Sequence, residues 1–241
     1  MKLENSTALV TGANRGIGRE IVADLLGRGV RRIYAGARRV KDLEAIVAAA
    51  PDRIVPLQID ITDRPQIKAA AEKARDVTLL INNAGVADFG AILECPLELT
   101  VRDMDTNFFG TLNMARAFAP IIEQNGGGAV VNFLTVVALA SMPGLGAYNA
   151  SKAAAWSMTQ SIRAGLAPKG IDVHGVFPGP VDTDMIRAVE IDKTDPREVA
   201  KAVLDGIASG TEDIFPDPMS RAVYDSWRQD HKAVERQFAS M

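Results

Sequence analysis

Short apolar runs alternate with longer amphipathic segments from one end of the chain to the other. The runs are of the kind found in strands that are buried on both faces of a parallel sheet. They lie at residues 8–10, 32–37, 54–59, 77–81, 129–134, 171–177 and 213–215. This alternation predicts an α/β fold in which helices cover both faces of a doubly wound parallel sheet of about seven strands.

Capping residues and helix breakers predict where the helices begin and end. Asp63 is a predicted N-cap, with Pro65 in the first turn that follows. A helical region from Pro96 to about Gln124 ends at three consecutive glycines, and a further helix runs from Tyr148 to Pro168. The chain has no repeat, low-complexity segment or linker, so a single domain over residues 1–241 is expected.

Residues 216–241 form a tail that is predicted to be helical. Its larger apolar side chains share one face at helical spacing: Met219, Val223, Trp227, Val234 and Phe238. The preferred explanation is a helix that packs on its own subunit. A lid over a substrate pocket and an altered subunit interface are the alternatives.

Composition and charge argue against a nucleic-acid-binding, disulfide-rich or membrane-spanning protein. The chain has 241 residues, 47% of them hydrophobic, and its net charge of −3 gives no general attraction for nucleic acid. The single cysteine, Cys95, excludes an internal disulfide framework and is typical of a reducing compartment. The N-terminus lacks the apolar core of a signal peptide, and no apolar run is long enough to span a bilayer. A cytoplasmic protein without nucleic-acid or membrane partners is expected, and the spacing of His174 and His231 predicts no metal site.

The most informative stretch is Thr11–Gly18, which lies between the first apolar run and a helical segment. In this strand–turn–helix setting, Gly12 allows a tight turn, Gly16 allows a phosphate to approach the backbone, and Gly18 allows the helix to pack closely on the strand. The helix directs its free N–H groups and the positive end of its dipole at an anion. The stretch therefore predicts a dinucleotide site of the Rossmann type, with a glycine turn that binds nothing as the alternative.

Polar side chains follow several other predicted strands. Asn82–Gly85 follows the fourth strand, Thr135 the fifth and Pro178–Gly179 the sixth. Asn107 lies in the helical region between the fourth and fifth strands. Because the carboxyl ends of parallel strands meet at one edge of the sheet, where ligands of such folds bind, we expect these residues to converge on one site.

Tyr148 and Lys152 are spaced i and i+4, so they lie side by side on one face of a predicted helix. A phenol with its ordinary pKa near 10 is a poor proton shuttle at neutral pH, and a neighbouring ammonium is expected to lower that pKa. Such a pair donates a proton to a developing alkoxide or accepts one from an alcohol. Taken alone, this spacing is also common on solvated helix faces.

In this order and spacing, the motifs resemble those of the short-chain dehydrogenase/reductase family from residue 6 to about residue 210. The resemblance implies that Tyr148 is the general acid/base. It also implies that Lys152 holds the nicotinamide ribose and lowers the pKa of Tyr148. Asn107, in the same comparison, holds a water in a proton relay.

The resemblance also implies which residues bind the dinucleotide. Asp60 and Ile61 are expected to face the adenine, and Val181 and Thr183 to hold the nicotinamide carboxamide. The full predicted set is Gly12, Asn14, Arg15, Gly16, Ile17, Gly18, Arg38, Asp60, Ile61, Asn83, Ala84, Gly85, Tyr148, Lys152, Pro178, Gly179, Val181 and Thr183. For Asp60, a plain helix or turn cap is the alternative.

Thr135 is a departure from the family pattern, because it stands where the family has its substrate-orienting serine. A threonine hydroxyl donates the same hydrogen bond, but the β-branch restricts χ1 and adds a methyl group. Ser141, the other hydroxyl of this loop, lies at the wrong position for the motif. Thr135 is therefore predicted to be catalytic; a plain strand residue in a protein that has lost catalysis is the alternative.

The end of the second predicted strand indicates the cofactor. A carboxylate there would bond the ribose 2′-hydroxyl of NAD and repel a 2′-phosphate, but Gly36–Arg39 contains no acid and two arginines. The guanidinium groups of Arg38 and Arg15 suit a phosphate dianion, and the family resemblance agrees. We predict NADP(H) rather than NAD(H), and we assign Arg39 to the solvated surface.

The expected function is that of an NADP(H)-dependent, carbonyl reductase-like oxidoreductase that acts on a small carbonyl or alcohol substrate. The loops predicted to face this substrate, at residues 86–89, 136–145 and 180–189, are largely apolar, which suits a lipophilic molecule. A homo-oligomer, either a dimer or a tetramer, is expected, although the unusual tail puts the tetramer of most relatives in doubt. A dinucleotide-binding regulatory protein without turnover, and dehydration or epimerisation on the same scaffold, are the alternatives.

Overall fold

A single sheet of seven strands organises the chain, and the computed structural model describes all residues from 1 to 241. In chain order the strands are β1 (Thr7–Thr11), β2 (Arg32–Ala37), β3 (Ile54–Gln58), β4 (Leu79–Asn82), β5 (Gly128–Phe133), β6 (Ile171–Val176) and β7 (Asp213–Ile214). Their order across the sheet is β3-β2-β1-β4-β5-β6-β7, and every pairing is parallel. The predicted doubly wound parallel sheet is therefore confirmed.

Nine α-helices connect or follow these strands. They are α1 (Gly16–Gly27), α2 (Glu44–Ala49), α3 (Arg64–Lys73), α4 (Leu97–Asp103), α5 (Thr111–Gln124), α6 (Gly146–Leu166), α7 (Pro196–Ser209), α8 (Pro218–Gln229) and α9 (His231–Ala239). None of them is both long enough and apolar enough to cross a membrane.

Alternate side chains of each central strand enter two separate cores. In β1, Ala8 and Val10 pack on one face of the sheet with residues of α1 and α7. Leu9 points to the other face, where it packs with residues of α3 and α5. All five residues of β1 are buried, which explains why the strand has an unbroken apolar run rather than an alternating one.

Two predicted helices differ in detail from the observed ones. The region from Pro96 to Gln124 is helical throughout, but it contains a π-helical segment, Met104–Gly110, between α4 and α5. The helix predicted to begin at Tyr148 begins two residues earlier, so Tyr148 lies in the first turn of α6. Asp63 caps α3 as predicted, with its side chain accepting a hydrogen bond from the N–H of Gln66.

The prediction of one continuous tail helix is wrong. The tail forms α8 and α9, which meet at Asp230, where the backbone is extended with φ −150° and ψ 91°. The Asp230 carboxylate accepts hydrogen bonds from the N–H groups of Lys232 and Ala233, both at 3.0 Å, and so begins a new helix. The break divides the tail into two helices, whose apolar side chains Val223, Trp227, Val234 and Phe238 nevertheless pack in the same core.

The tail packs on its own subunit. Val234 and Phe238 of α9 are buried in a third core, together with Phe177 at the end of β6. Phe215, after β7, stacks between Phe177 and Tyr224 of α8, with ring centroids 4.9 Å and 4.0 Å apart. This packing matches the preferred explanation of the apolar face.

Asp217 anchors the tail to the loop that follows β6. One carboxylate oxygen accepts a hydrogen bond from the N–H of Gly179 at 2.8 Å, and the other accepts one from the N–H of Ser220 at 2.7 Å. The Ser220 hydroxyl in turn accepts a bond from the N–H of Asp217. Asp217 and Ser220 are fully buried, so the carboxylate is satisfied entirely by the protein.

Replacement of Asp217 with alanine is expected to lower the free energy of unfolding by about 2 kcal/mol. The change removes the cap of α8 and leaves the N–H of half-buried Gly179 without its charged acceptor. Urea unfolding measures the loss. Asp225→Ala is the matched control, because it removes an exposed carboxylate from the same helix; equal losses in the two variants would contradict the proposed anchor.

Candidate active site

The turn between β1 and α1 depends on glycines. Gly12 and Gly16 have φ values of +65° and +53°, in the left-handed region. A Cβ atom at Gly18 would overlap the carbonyl oxygen of Gly12, so only glycine allows α1 to pack this closely. The first turn of α1 has no side-chain cap and no acidic residue, which leaves its N–H groups for an anion. Asn14 and Ile17 are half-buried in the same turn.

Thr11 and Asn83 join this turn to the loop after β4. The hydroxyl of Thr11 accepts hydrogen bonds from the N–H groups of Asn83 and Ala84, both at 3.0 Å. The Asn83 amide donates to the carbonyls of Thr11 at 2.9 Å and of Gly12 at 3.2 Å. Thr11 was absent from the predicted set, although a hydroxyl at the end of a strand that precedes a glycine turn is a recognisable signal.

Asn107 lies in the π-helical segment and is almost fully buried. Its amide nitrogen donates to the carbonyl of Val86 and to the hydroxyl of Ser151, both at 2.9 Å, and its oxygen accepts from the N–H of Val86 at 3.0 Å. A Cβ atom at Gly85 would lie 3.0 Å from Asn107 Oδ1 and 3.5 Å from Lys152 Nζ. The side chains of Asn107 and Lys152 therefore meet at the same glycine.

The ammonium group of Lys152 is buried in α6. Its Nζ donates to the carbonyl of Phe133, at the end of β5, at 2.6 Å, and this is its one hydrogen bond within the protein. An ammonium has three donors, so two of them are free for a ligand. Burial lowers the pKa of Lys152 to about 8, and the negative charge of Asp103 opposes that change.

The hydroxyl groups of Tyr148 and Thr135 lie together beyond the end of β5. The Thr135 side chain is buried; its hydroxyl donates to the carbonyl of Pro178 and accepts from the N–H of Val137, both at 3.4 Å. The pKa of Tyr148 is raised to about 12, mainly by burial; a hydrogen bond with Thr135 acts to lower it, and the charge of Asp103 acts to raise it. The predicted lowering of this pKa is therefore wrong for the protein by itself: the pKa is raised, and burial of the phenol is the largest cause.

The loop after β6 closes the site against the glycine turn. The carbonyl of Pro178 accepts a hydrogen bond from the N–H of Val136 at 3.1 Å. The N–H of Gly179 donates to the carboxylate of Asp217. Val181 is buried. A methyl carbon of Thr183 would lie 3.1 Å from a Cβ atom at Gly16, so this loop reaches across to α1.

The predicted adenine-side residues lie at the end of β3. The Asp60 carboxylate accepts hydrogen bonds from the N–H of Thr62 at 2.9 Å and from the Thr62 hydroxyl at 2.8 Å. Asp60 therefore caps a turn, which is the alternative given for it in the sequence analysis. Ile61 is buried, and it lies so close to Gly110 that a Cβ atom there would be 2.8 Å from it.

The three candidate arginines differ in their partners. Arg15 is 64% exposed and pairs with Asp184 at 3.2 Å. Arg38 is exposed and makes no ion pair. Arg39 is exposed and pairs with Asp42 at 3.0 Å, in keeping with its assignment to the surface. Asp184, in the loop after β6, was not predicted to contact Arg15, and it competes with any anion for that guanidinium.

One buried carboxyl group beside the site was not predicted. Asp103 is fully buried at the end of α4, and its Oδ2 lies 3.4 Å from the N–H of Asp88. Burial raises the pKa of Asp103 to about 6. Its spacing of one helical turn before Asn107 is the sequence signal that places it on the site-facing side. No group of three or more His, Cys, Asp or Glu side chains is arranged to hold a metal ion.

Solved structures with this architecture extend over nearly the whole chain. A short-chain dehydrogenase from Burkholderia cenocepacia in complex with NADP is 40% identical, with a TM-score of 0.93 over 99% of both chains. A short-chain dehydrogenase/reductase from Burkholderia phymatum in complex with NAD is 25% identical, with a TM-score of 0.87 over 98% of this chain and 96% of that one.

Curated relatives and a family model give the same result. The protein named Probable oxidoreductase EphD of Mycobacterium bovis is 32% identical over 73% of this chain, which spans 31% of that protein's length. The sequence model for short chain dehydrogenases matches residues 6–194, a region that includes the glycine turn, Asn107, Tyr148 and Lys152. The chain belongs to the short-chain dehydrogenase family.

Proposed function

We propose that the protein is an NADP(H)-dependent oxidoreductase that transfers a hydride between the nicotinamide and the carbon of a carbonyl or secondary alcohol. The observation that carries this proposal is the convergence of Tyr148, Thr135 and Lys152 beyond the end of β5. A dinucleotide-binding protein without turnover would not need a buried hydroxyl against the phenol or a buried ammonium behind it, so the enzymatic function is favoured over the regulatory one.

The residues present fit a nicotinamide dinucleotide. The glycine turn offers free N–H groups at the start of α1 to a pyrophosphate. Lys152 has two unused donors for ribose hydroxyls. When bound, the nicotinamide supplies or accepts the hydride. The two Burkholderia relatives carry different cofactors, so the preference for NADP(H) rests on the exposed, unpaired Arg38 and on Arg15.

In the proposed mechanism, Tyr148 and Thr135 both donate hydrogen bonds to the substrate oxygen. Because its pKa is about 12, Tyr148 is protonated at neutral pH and is suited to give a proton to the developing alkoxide. Lys152 then returns a proton to the phenolate, and Asn107 holds the loop and helix that surround this path. The protein alone is therefore better prepared to reduce a carbonyl than to oxidise an alcohol at neutral pH.

A lipophilic substrate of small to medium size is part of the proposal. The loops after β4 and β5 are joined by a hydrogen bond from the N–H of Gly90 to the carbonyl of Gly144 at 2.8 Å. Val136 and Val137 pack into the third core and are not available to a ligand. Phe89 and Met185 remain exposed on the neighbouring loops and supply apolar surface.

A homo-oligomer in the cytoplasm is also proposed. Leu93 is 96% exposed and Leu97 is 72% exposed, and Val101 lies one turn further along α4 with half of its surface exposed. This much clustered apolar surface is typical of a contact between subunits. The single free cysteine is typical of a reducing compartment.

Arg38→Ala is expected to weaken NADPH binding about tenfold or more and to leave NADH binding nearly unchanged, because a charged contact to the 2′-phosphate is lost. Titration of cofactor fluorescence measures both affinities. Arg39→Ala is the matched control, since it removes the adjacent exposed guanidinium. Equal losses for NADPH and NADH would contradict the cofactor assignment.

Thr135→Ser is expected to keep or raise kcat, because the hydroxyl stays and the methyl group goes. Thr135→Val keeps the shape but removes the donor, so kcat should fall strongly. The measurement is NADPH oxidation with a panel of apolar ketones, aldehydes and quinones. If the valine variant reacts as fast as the parent, another donor such as Ser141 orients the substrate.

Tyr148→Phe removes only the phenolic oxygen, so we expect kcat to fall about a hundred- to ten-thousand-fold while NADPH affinity stays nearly constant. Lys152→Ala should lose both turnover and affinity, because its ammonium would also hold the ribose of the bound cofactor. Steady-state kinetics and binding titrations separate the two effects. A parent protein that binds NADPH and reduces none of the panel would support the regulatory alternative instead.

A further inference from the structure

Asp103 takes no part in the mechanism above, although it lies beside the site. Its side chain is fully buried, and Oδ1 has no hydrogen-bond partner. A buried carboxyl group with an unsatisfied oxygen is costly and calls for an explanation. It stands one helical turn before Asn107, on the helix that packs against α6.

Lys152 is a buried cation without a negatively charged hydrogen-bond partner. Its ammonium is buried, its single hydrogen-bond partner is the neutral carbonyl of Phe133, and it makes no salt bridge. The two buried groups are neighbours: Lys152 Nζ and Asn107 Oδ1 lie against the same glycine, Gly85, and Asp103 stands one helical turn before Asn107 on a helix that contacts α6. The negative charge of Asp103 raises the pKa of Lys152 and opposes the effect of burial. A buried ammonium without an opposite charge tends to lose its proton.

We propose that Asp103 is the counter-charge of Lys152: its carboxylate keeps the buried ammonium charged and thereby extends the pH range over which the protein holds its dinucleotide. The second part of this inference rests on the proposed function. Asp103 acts through Lys152 and is therefore a positioning residue rather than a catalytic one.

Three charged or titratable neighbours control Asp103 itself. The backbone N–H of Asp88, in the loop after β4, lowers the pKa of Asp103 by donating a hydrogen bond, while the Asp88 carboxylate raises it by like charge. Arg102 of α4 and Lys152 of α6 lower it. Asp88 is paired with Arg102 at 3.2 Å, which partly offsets its charge. Burial is the largest influence and places the pKa of Asp103 at about 6.

The sign of the pH dependence follows from these groups. Above about pH 6 Asp103 is charged and raises the pKa of Lys152, which stays protonated up to about pH 8. Without the carboxylate, Lys152 loses its proton at lower pH. Below about pH 6 Asp103 is itself neutral in the parent protein, so its removal should have little effect there.

The direct test is the pKa of Lys152 in the cofactor-free protein, measured by NMR with lysine labelled at Cε and assigned with Lys152→Arg. Asp103→Asn is expected to lower this pKa by about one unit, the size of effect that a nearby opposite charge produces. Asp105→Asn is the matched control, because it removes an exposed carboxylate two residues along the same helical region. The same Lys152 pKa in both variants would overturn the proposal.

NADPH affinity provides the second measurement. Asp103→Asn should bind NADPH several-fold more weakly than the parent at pH 8 and equally well at pH 5.5, while Asp105→Asn follows the parent throughout. A loss of the same size at both pH values would identify a structural defect and overturn the proposal. If the Lys152 pKa moves as expected but the parent does not bind NADPH, the counter-charge stands and the proposed function fails.

Asp88→Asn keeps the test decisive if Asp103→Asn does not fold. This variant leaves Asp103 in place and removes the like charge beside it, so Asp103 ionises at lower pH. The pKa of Lys152 should then be equal to or higher than in the parent. A lowered Lys152 pKa in Asp88→Asn would make Asp88 the counter-charge and overturn the assignment to Asp103.

Discussion

The reversal of strand order between β1 and β4 is the constraint on which the candidate site depends. The chain builds β1, β2 and β3 outward in one direction and then returns to the other side of β1. The connections that leave β1 and β4 therefore diverge, and a crevice opens beyond the carboxyl ends of the two strands. Every group of the site reaches this crevice from a strand end or from the helix that follows one.

A crevice at strand ends is surrounded by loops, and loops have backbone groups that need partners. Here the loops satisfy one another. Thr11 and Asn83 join the loops after β1 and β4, and Asn107 joins the β4 loop to α6. Asp217 joins the β6 loop to the tail. These side chains, of which Thr11, Asn107 and Asp217 are buried, fix the loops around the crevice relative to one another. Apolar side chains could not satisfy the backbone groups of the loops in this way.

Burial on both faces of the sheet explains why the fold was predictable from the sequence. The central strands β1 and β4 are buried throughout and had to be apolar runs. The glycines of the β1 turn had no substitute, so strands and turn were both recognisable in the sequence. The break at Asp230 was hidden, because the apolar residues on both sides of it keep the spacing of a single helical face. The π-helical segment was equally hidden; it contains Asn107, whose side chain bonds to Val86 and Ser151, residues distant in the chain.

The pKa values of the site residues were the least predictable part of the site, because they depend on burial. Spacing indicates which side chains are neighbours, but not how far each is removed from water. Tyr148 and Lys152 were placed correctly side by side, yet burial shifts their pKa values in opposite directions, to about 12 and about 8. In the sequence, Asp103 is one of several acidic residues in a helical region. Only its packing against α6 and the β4 loop places its charge where it changes the pKa of Lys152.

The tail, which lies beyond the region that the family model matches, also helps to position the loops of the candidate site. That region ends at residue 194, whereas α8 and α9 lie after residue 217. The tail nevertheless contacts two loops of the site, since α8 packs near the segment after Thr135 and Asp217 holds Gly179. The relative from Burkholderia cenocepacia aligns over 99% of the chain, so it includes this region as well. A change in the tail therefore acts on the position of the β6 loop, and residues remote from the shared motifs take part in shaping the site.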